Sequence, residues 1–300
     1  MGNKLSRVLT IITGVGCKKA RKIYHGGETC ECIEINKEKY KLNIGAATAK
    51  EIAGHGGKIL MIGRDEENLS HIREYIHKKI KCDLANILYE KLDLLNEKSV
   101  NKIVSLVPRK YPVWLVHSVG LGAQAYNLVG DNPYLPITNI PLDTLIKEYE
   151  VPIKSLLLLI RSLLPIFIKQ KTTKIVVVSS MSGVRPYMYG FSHASAKAGL
   201  HNAVRSLALE LYYRYKSIYV TEILPGIVDT GLYDSKAVVK SVCKIGESFG
   251  LIGKRKYSVN NLPLSPPASI AEAILFALQS EAHILSINMV AMGQFPHLGA

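Results

Sequence analysis

Ser179-Ser-Met-Ser-Gly183, followed by His193-Ala-Ser-Ala-Lys197, is the stretch that decides how this chain folds. Lys174–Ser179 is almost purely β-branched, as a fully buried strand requires. Small hydroxyl residues and a glycine then interrupt it. Phe191–Tyr213 carries helix formers at helical spacing. The order is strand, loop, helix, with the Ser180 hydroxyl at the strand end. His193 lies thirteen residues beyond Ser180, and Lys197 four beyond His193. A separation of four places His193 and Lys197 on one helix face, one turn apart.

The same alternation extends in both directions. Val8–Thr13 reads as a buried strand ending in Thr13-Gly14, and Ile44–Ala53 as a helix closed by Gly54-His-Gly-Gly57. Lys58–Ile62 is a second strand and Glu66–Lys79 a polar amphipathic helix. Leu88–Leu92 and Val113–His117 are further strands, separated by a helix from about Lys98. Leu142–Ile168 reads as one long, largely apolar helix. Ile218–Ile223 is a strand ending at Pro225-Gly226, and Ser269–Gln279 with Ile284–Val290 supply a closing helix and strand. Strands and helices in this succession predict an α/β fold: a Rossmann-type doubly wound parallel sheet of about seven strands with right-handed crossovers. No linker divides residues 1–300, so a single domain is expected, with an insertion at about residues 17–43.

The Ser180–His193–Lys197 spacing resembles the catalytic segment of the short-chain dehydrogenases/reductases, in which a tyrosine stands at the position of His193. The resemblance covers nearly the whole chain outside the insertion. It implies hydride exchange between a nicotinamide and a carbonyl or alcohol carbon. Ser180 would orient the substrate oxygen, His193 would take the place of the acid/base, and Lys197 would bind the ribose. Counting back from Pro165, the position of the family's catalytic asparagine holds Pro152.

Thr13-Gly14, Gly16 and Asn43-Ile44-Gly45 resemble a Thr-Gly-x-x-x-Gly-Ile-Gly phosphate loop split by the insertion, with Asn43 in place of a glycine. Glycines there let the backbone approach a pyrophosphate, and a helix N-terminus supplies N–H donors. Arg64, at the end of the second strand, points to the 2′-phosphate of NADP(H); an ordinary surface arginine is the alternative. Asp93 either contacts the adenine or caps the helix that follows. His117-Ser-Val-Gly120 stands where the family shows Asn-Asn-Ala-Gly, keeping Gly120 and losing both amides. Pro225, Gly226, Ile227 and Thr230 resemble the nicotinamide loop. Tyr187 or Tyr189 either supplies a substitute hydroxyl or packs the pocket.

Two function classes follow. The first is an NADP-dependent oxidoreductase acting on carbonyl or alcohol groups of a small, apolar substrate. The second is a weak or inactive fold-mate serving as a cofactor-binding or scaffold subunit. Leu232, Tyr233, Phe249 and Tyr257, in a lid-like loop over 228–261, hint at the apolar ligand. Apolar surface at Leu156–Ile160 and Leu163–Leu164 points to a homodimer or tetramer.

A net charge of +14 fits either attraction to polyanions or solvated lysines. No aromatic-interleaved or zinc-finger spacing supports nucleic-acid binding, so none is expected. Five cysteines in 300 residues are no disulfide scaffold, and a cytoplasmic protein is expected. The insertion, with seven Lys/Arg against four Glu, reads as a solvated flap. Cys17, His25, Cys30 and Cys32 within it are a conceivable zinc set, although Cys-x-Cys is tighter than usual. Met1-Gly-Asn-Lys-Leu-Ser6 fits N-myristoylation at Gly2, which with the basic surface would give peripheral membrane contact.

Overall fold

The computed structural model describes residues 4–21, 31–108, 110–120, 128, 130, 132–248, 262–291 and 294. β1 (Leu9–Thr13) is the pivot of the fold. Its five residues are all buried, and their side chains alternate: Leu9 and Ile11 enter one core cluster, Ile12 the other. On one side β1 pairs in parallel with β5 (Lys58–Gly63), which pairs with β6 (Ile87–Lys91). On its other side lies β7 (Val113–His117), with Thr13 opposite His117. The sheet continues through β8 (Thr173–Val178), β9 (Ile218–Pro225) and β10 (Ser286–Met289). The order β10-β9-β8-β7-β1-β5-β6 makes seven parallel strands, the predicted architecture. The order in which strands are added reverses between β1 and β7, so a crevice opens at their carboxyl ends.

Helices cover both faces. One face carries α1 (Ile44–Gly54), α2 (Glu66–Ile80) and α8 (Pro267–Gln279) through Ala49, Ile52, Ile72 and Ile274. The other carries α3 (Glu97–Leu106), α5 (Ser155–Phe167) and α6 (Phe191–Tyr215) through Ile103, Leu159, Leu163 and Leu200. Leu156, Leu158, Leu159, Ile160 and Leu163 are buried within the monomer, leaving Leu157 exposed at 55%. The apolar excess read from that helix is therefore mostly core. Among the described residues no helix is long and apolar enough to cross a membrane.

Three segments depart from expectation. The long helix is interrupted: α4 (Leu142–Tyr149) runs through a π turn at Glu150–Lys154 into α5. Pro152 has no N–H to give to the preceding turn, which loosens the ladder there. The Ser155 hydroxyl donates instead to the Val151 carbonyl. Within the loop over 228–261, a helix α7 (Lys236–Ser248) buries Val238, Val239 and Val242. Phe249 and Tyr257 lie outside the described residues.

The insertion is the third. It is no solvated flap: β2 (Cys17–Lys19), β3 (Cys32–Ile35) and β4 (Glu38–Leu42) form an antiparallel sheet in the order β2-β4-β3. Ile33, Ile35 and Leu42 join the main core. Its two ends meet at Asn43, whose N–H donates to the Gly16 carbonyl at 3.1 Å. The Asn43 side chain accepts from Ala46 N–H at 2.9 Å and Gly16 N–H at 3.3 Å, and donates to the Gly14 carbonyl at 2.8 Å. Asn43 thus caps α1 and closes the split loop. Asn43→Ala is expected to lower stability by about 1–2 kcal/mol, read as a lower urea midpoint. An unchanged midpoint would show that backbone pairing alone closes the loop.

Candidate active site

At the carboxyl ends of the strands lies a cavity of about 240 Å³. Ser180, His193 and Lys197 all line it, so the triplet read from spacing converges in space. β8 delivers Ser180, whose Oγ accepts from Ser182 N–H at 3.1 Å and from the Ser182 hydroxyl at 2.7 Å. α6 delivers the other two. Gly183 lets this loop pass close to α6, because a Cβ there would sit 2.6 Å from the Lys197 carbonyl oxygen.

Lys197 is buried, and burial presses its pKa down to about 8, against the charges of Glu148 and Glu222. Glu148, on α4, is buried too, and its Oε2 lies 3.4 Å from His193 Nδ1. With Nδ1 facing that carboxylate, the other ring nitrogen is left for the cavity side. Sequence reading missed Glu148. Its only signal was position, on the helix one turn before Pro152.

His117 is also buried, and bridges strand and helix. Its Nδ1 is 2.9 Å from the Thr13 hydroxyl and its Nε2 3.3 Å from the Ser155 hydroxyl. Ser155 spends its proton on Val151, so His117 Nε2 donates to Ser155 and Nδ1 accepts from Thr13. Burial, then the charge of Lys197, pushes the His117 pKa down to about 3, so the ring stays neutral. This imidazole thus ties β7 to β1 on one side and to α5 on the other. The Thr13 hydroxyl is engaged in that link.

The cavity wall carries Tyr134, Tyr187 and Tyr233. The Tyr134 and Tyr233 hydroxyls are 3.2 Å apart, and the Tyr134 and Tyr187 rings meet edge to face at 6.1 Å. Burial and nearby Tyr134 and Glu148 hold the Tyr187 phenol protonated, well above its ordinary range. Tyr189 does not line the cavity among the described residues; its backbone is left-handed at φ 65°.

The dinucleotide candidates fall around this cavity. Ile44, Gly120, Pro225, Gly226, Ile227 and Thr230 line it. Gly14 sits at φ +74°, where a Cβ would lie 1.9 Å from the Ser118 carbonyl oxygen. A Cβ on Gly45 would reach the Gly14 carbonyl at 2.9 Å. This close-packed cradle at the N-terminus of α1 fits a pyrophosphate. The Gly16 N–H, by contrast, is taken by Asn43. Gln294 Oε1 accepts from Ile227 N–H at 3.1 Å, a contact that sequence reading did not foresee. Arg64 is exposed beyond β5, and Asp65, not Arg64, caps α2. Asp93 is exposed and accepts from Leu95 N–H at 3.0 Å; the cap of α3 is Asn96, which removes the capping alternative for Asp93.

Of the conceivable zinc set only Cys17 and Cys32 lie among the described residues. The Cys17 thiol donates to Asn68 Oδ1 at 3.3 Å, and burial with the Asp65 charge drives its pKa up to about 12. Among the described residues no three His, Cys, Asp or Glu group as a metal site. His25, Cys30 and Gly2 lie outside those residues.

Comparison with known proteins agrees with this geometry. An oxidoreductase of Staphylococcus epidermidis is 25% identical over 249 residues, covering 83% of this chain and 91% of that protein. One of Listeria monocytogenes is 25% identical over 230 residues, covering 76% and 88%. Among solved structures, an NADPH-bound short chain oxidoreductase of Pseudomonas aeruginosa with an atypical catalytic center superimposes with a TM-score of 0.68 at 19% identity, over 98% and 99% of the chains. L-sorbose reductase of Gluconobacter frateurii, with NADPH and L-sorbose, gives 0.68 at 18%, over 99% and 100%. The family model described as short chain dehydrogenase matches residues 42–238, and by that match and its fold the chain belongs to the short-chain dehydrogenase/reductase family of oxidoreductases.

Proposed function

We propose that the protein is an NADP(H)-dependent oxidoreductase that interconverts an alcohol and a carbonyl on a small, largely apolar substrate. The observation that carries this reading is the convergence of Ser180, His193 and Lys197 on one cavity beside the Gly14–Gly45 cradle. Bound there, the nicotinamide supplies the hydride acceptor or donor. The protein's own residues handle the oxygen and its proton.

In the alcohol-oxidising direction, Ser180 holds the substrate oxygen and His193 receives its proton at the nitrogen facing the cavity. Glu148 holds the opposite nitrogen and so fixes the ring. Lys197, whose charge Glu148 and Glu222 favour against burial, would hold hydroxyls of the cofactor ribose. Tyr134, Tyr187 and Tyr233 with Val242 and Ile245 make an apolar wall that excludes water. In the reducing direction the same nitrogen returns the proton.

The likeness of this chain to NADPH-bound neighbours and the place of Arg64 after β5 support NADP(H) over NAD(H). Arg64→Glu is expected to weaken NADPH binding about 10- to 100-fold while NADH binding changes little, as loss of charge-assisted contacts to a 2′-phosphate implies. Fluorescence titration of both nucleotides, followed by turnover on a panel of alcohols and ketones, tests the proposal. No nucleotide binding at all would sink it. Tight NADPH binding without turnover would favour the cofactor-binding or scaffold subunit, which the family comparisons do not support.

A further inference from the structure

A second concavity, of about 1510 Å³, lies at the opposite end of the sheet, beneath the amino ends of β1, β7, β8 and β9. β1 alone separates it from the Gly14 cradle by roughly 16 Å, so it is not part of the dinucleotide cleft. Its walls carry Lys4, Arg7, Lys110, Lys169, Lys171 and Lys174. The one acid among the described lining residues, Glu281, is already paired with Lys4 at 2.8 Å.

Lys174 distinguishes this groove from a scatter of surface lysines. It is only 6% exposed, yet its side chain lines the groove. Its Nζ rests 4.4 Å above the Tyr219 ring, and among the described residues no carboxylate pairs with it. Burial, and then the charge of Lys4, lowers its pKa below the ordinary lysine value. A cation covered this far and lacking a carboxylate among the described residues is poorly compensated, and an anion in the groove would complement it. Trp114, Pro165 and Leu278 give the groove an apolar side, where Coulomb attraction is less screened than in bulk water.

We propose that this groove binds a ligand carrying two or more clustered phosphates. Six cations line one groove, and the groove exceeds the roughly 300–1,000 Å³ of an ordinary small-molecule site. Arg7 and the rim lysines supply charge-assisted hydrogen bonds to the outer phosphates, while Lys174 supplies the buried charge. The phosphates belong either to a soluble polyphosphorylated molecule or to a lipid headgroup. The proposal is independent of the catalytic reading.

The test is calorimetric titration with inorganic tripolyphosphate, alongside sedimentation with phosphatidylcholine vesicles containing phosphatidylinositol bisphosphate. Wild type and Arg64→Ala are expected to bind tripolyphosphate alike, and Lys174→Met about tenfold or more weakly. Co-sedimentation that tripolyphosphate displaces supports the proposal with a headgroup as source. Tripolyphosphate binding without co-sedimentation supports it with a soluble ligand. Lys174→Met removes the charge and keeps most of the stem's packing, and the exposed double variant Lys169→Glu/Lys171→Glu should show the same loss of binding. Absence of tripolyphosphate binding overturns the proposal, as does binding that survives these variants. Loss of binding in Arg64→Ala would assign the anion to the cofactor cleft, and binding to double-stranded RNA alone would assign the groove to nucleic acid; both overturn it.

Discussion

Lys41→Met is expected to destabilise the protein by about 3–5 kcal/mol, enough to threaten a fold whose total stability is on the order of 5–15 kcal/mol. Lys41, on β4 of the inserted sheet, is buried to the tip, and its Nζ bonds Asp229 at 2.8 Å and Asp234 at 2.7 Å. Both aspartates are fully buried. Removing the lysine takes the Nζ cation away from both buried carboxylates, the costly way to break a buried ion set. Urea denaturation measures the effect. The triple variant Lys41→Met/Asp229→Asn/Asp234→Asn should recover much of the loss, because both buried carboxylate charges go with the lysine. A loss below about 1 kcal/mol in the single variant would mean that water reaches the site.

The pH dependence has a definite sign. Burial lowers the Lys41 pKa, but the hydrogen bonds and charges of Asp229 and Asp234 outweigh it, so the folded value stands above the ordinary 10.5. The stabilisation is therefore complete below that ordinary value and is lost as pH rises through the folded one. Above pH 10.5 wild type should lose stability more steeply than Lys41→Met. The same three residues also fasten the insertion to the segment that carries Thr230 at the cavity wall. Arg21 N–H adds a contact to Asp234 at 3.1 Å. Nucleotide affinity should fall with Lys41→Met, although Lys41 itself does not line the cavity among the described residues.

The second large effect concerns turnover. His193→Ala is expected to reduce kcat about 10²- to 10⁴-fold, the usual contribution of a positioned acid/base. Lys197 then governs the alkaline side of the profile. Its pKa is held near 8, so it is charged below that pH and neutral above. Activity that needs the charged form should fall as pH rises through about 8, and this limb should vanish in Lys197→Met. Glu148 opposes the burial that lowers this pKa, so Glu148→Gln should move the limb to lower pH as well as loosen the His193 ring. A profile flat from pH 7 to 10 in wild type would exclude this role for Lys197.

Much of this site was legible because its signals are local. Ser180, His193 and Lys197 are fixed relative to one another by a strand end and one helix, so their spacing alone predicts that they meet. Gly14 and Gly45 were legible for a similar reason, since close backbone approach tolerates no Cβ. Glu148 was not legible: it comes from a helix more than forty residues from His193, and nothing in its local pattern separates it from an ordinary exposed glutamate. Lys41 was read among seven solvated cations for the same reason. Its partners lie 188 and 193 residues away.

The sequence by itself determined the order of elements, the parallel sheet and the family. Hydrophobic period and loop glycines are properties of neighbouring residues, and chain connectivity turns them into topology. Only the tertiary structure decided which charges are buried and with whom. It made the insertion a structural brace instead of a flap. It placed His117 between Thr13 and Ser155, and put Glu148 behind His193. Burial and charge pairing depend on approach between distant segments, and that approach, not the type of residue, sets the state in which each group sits.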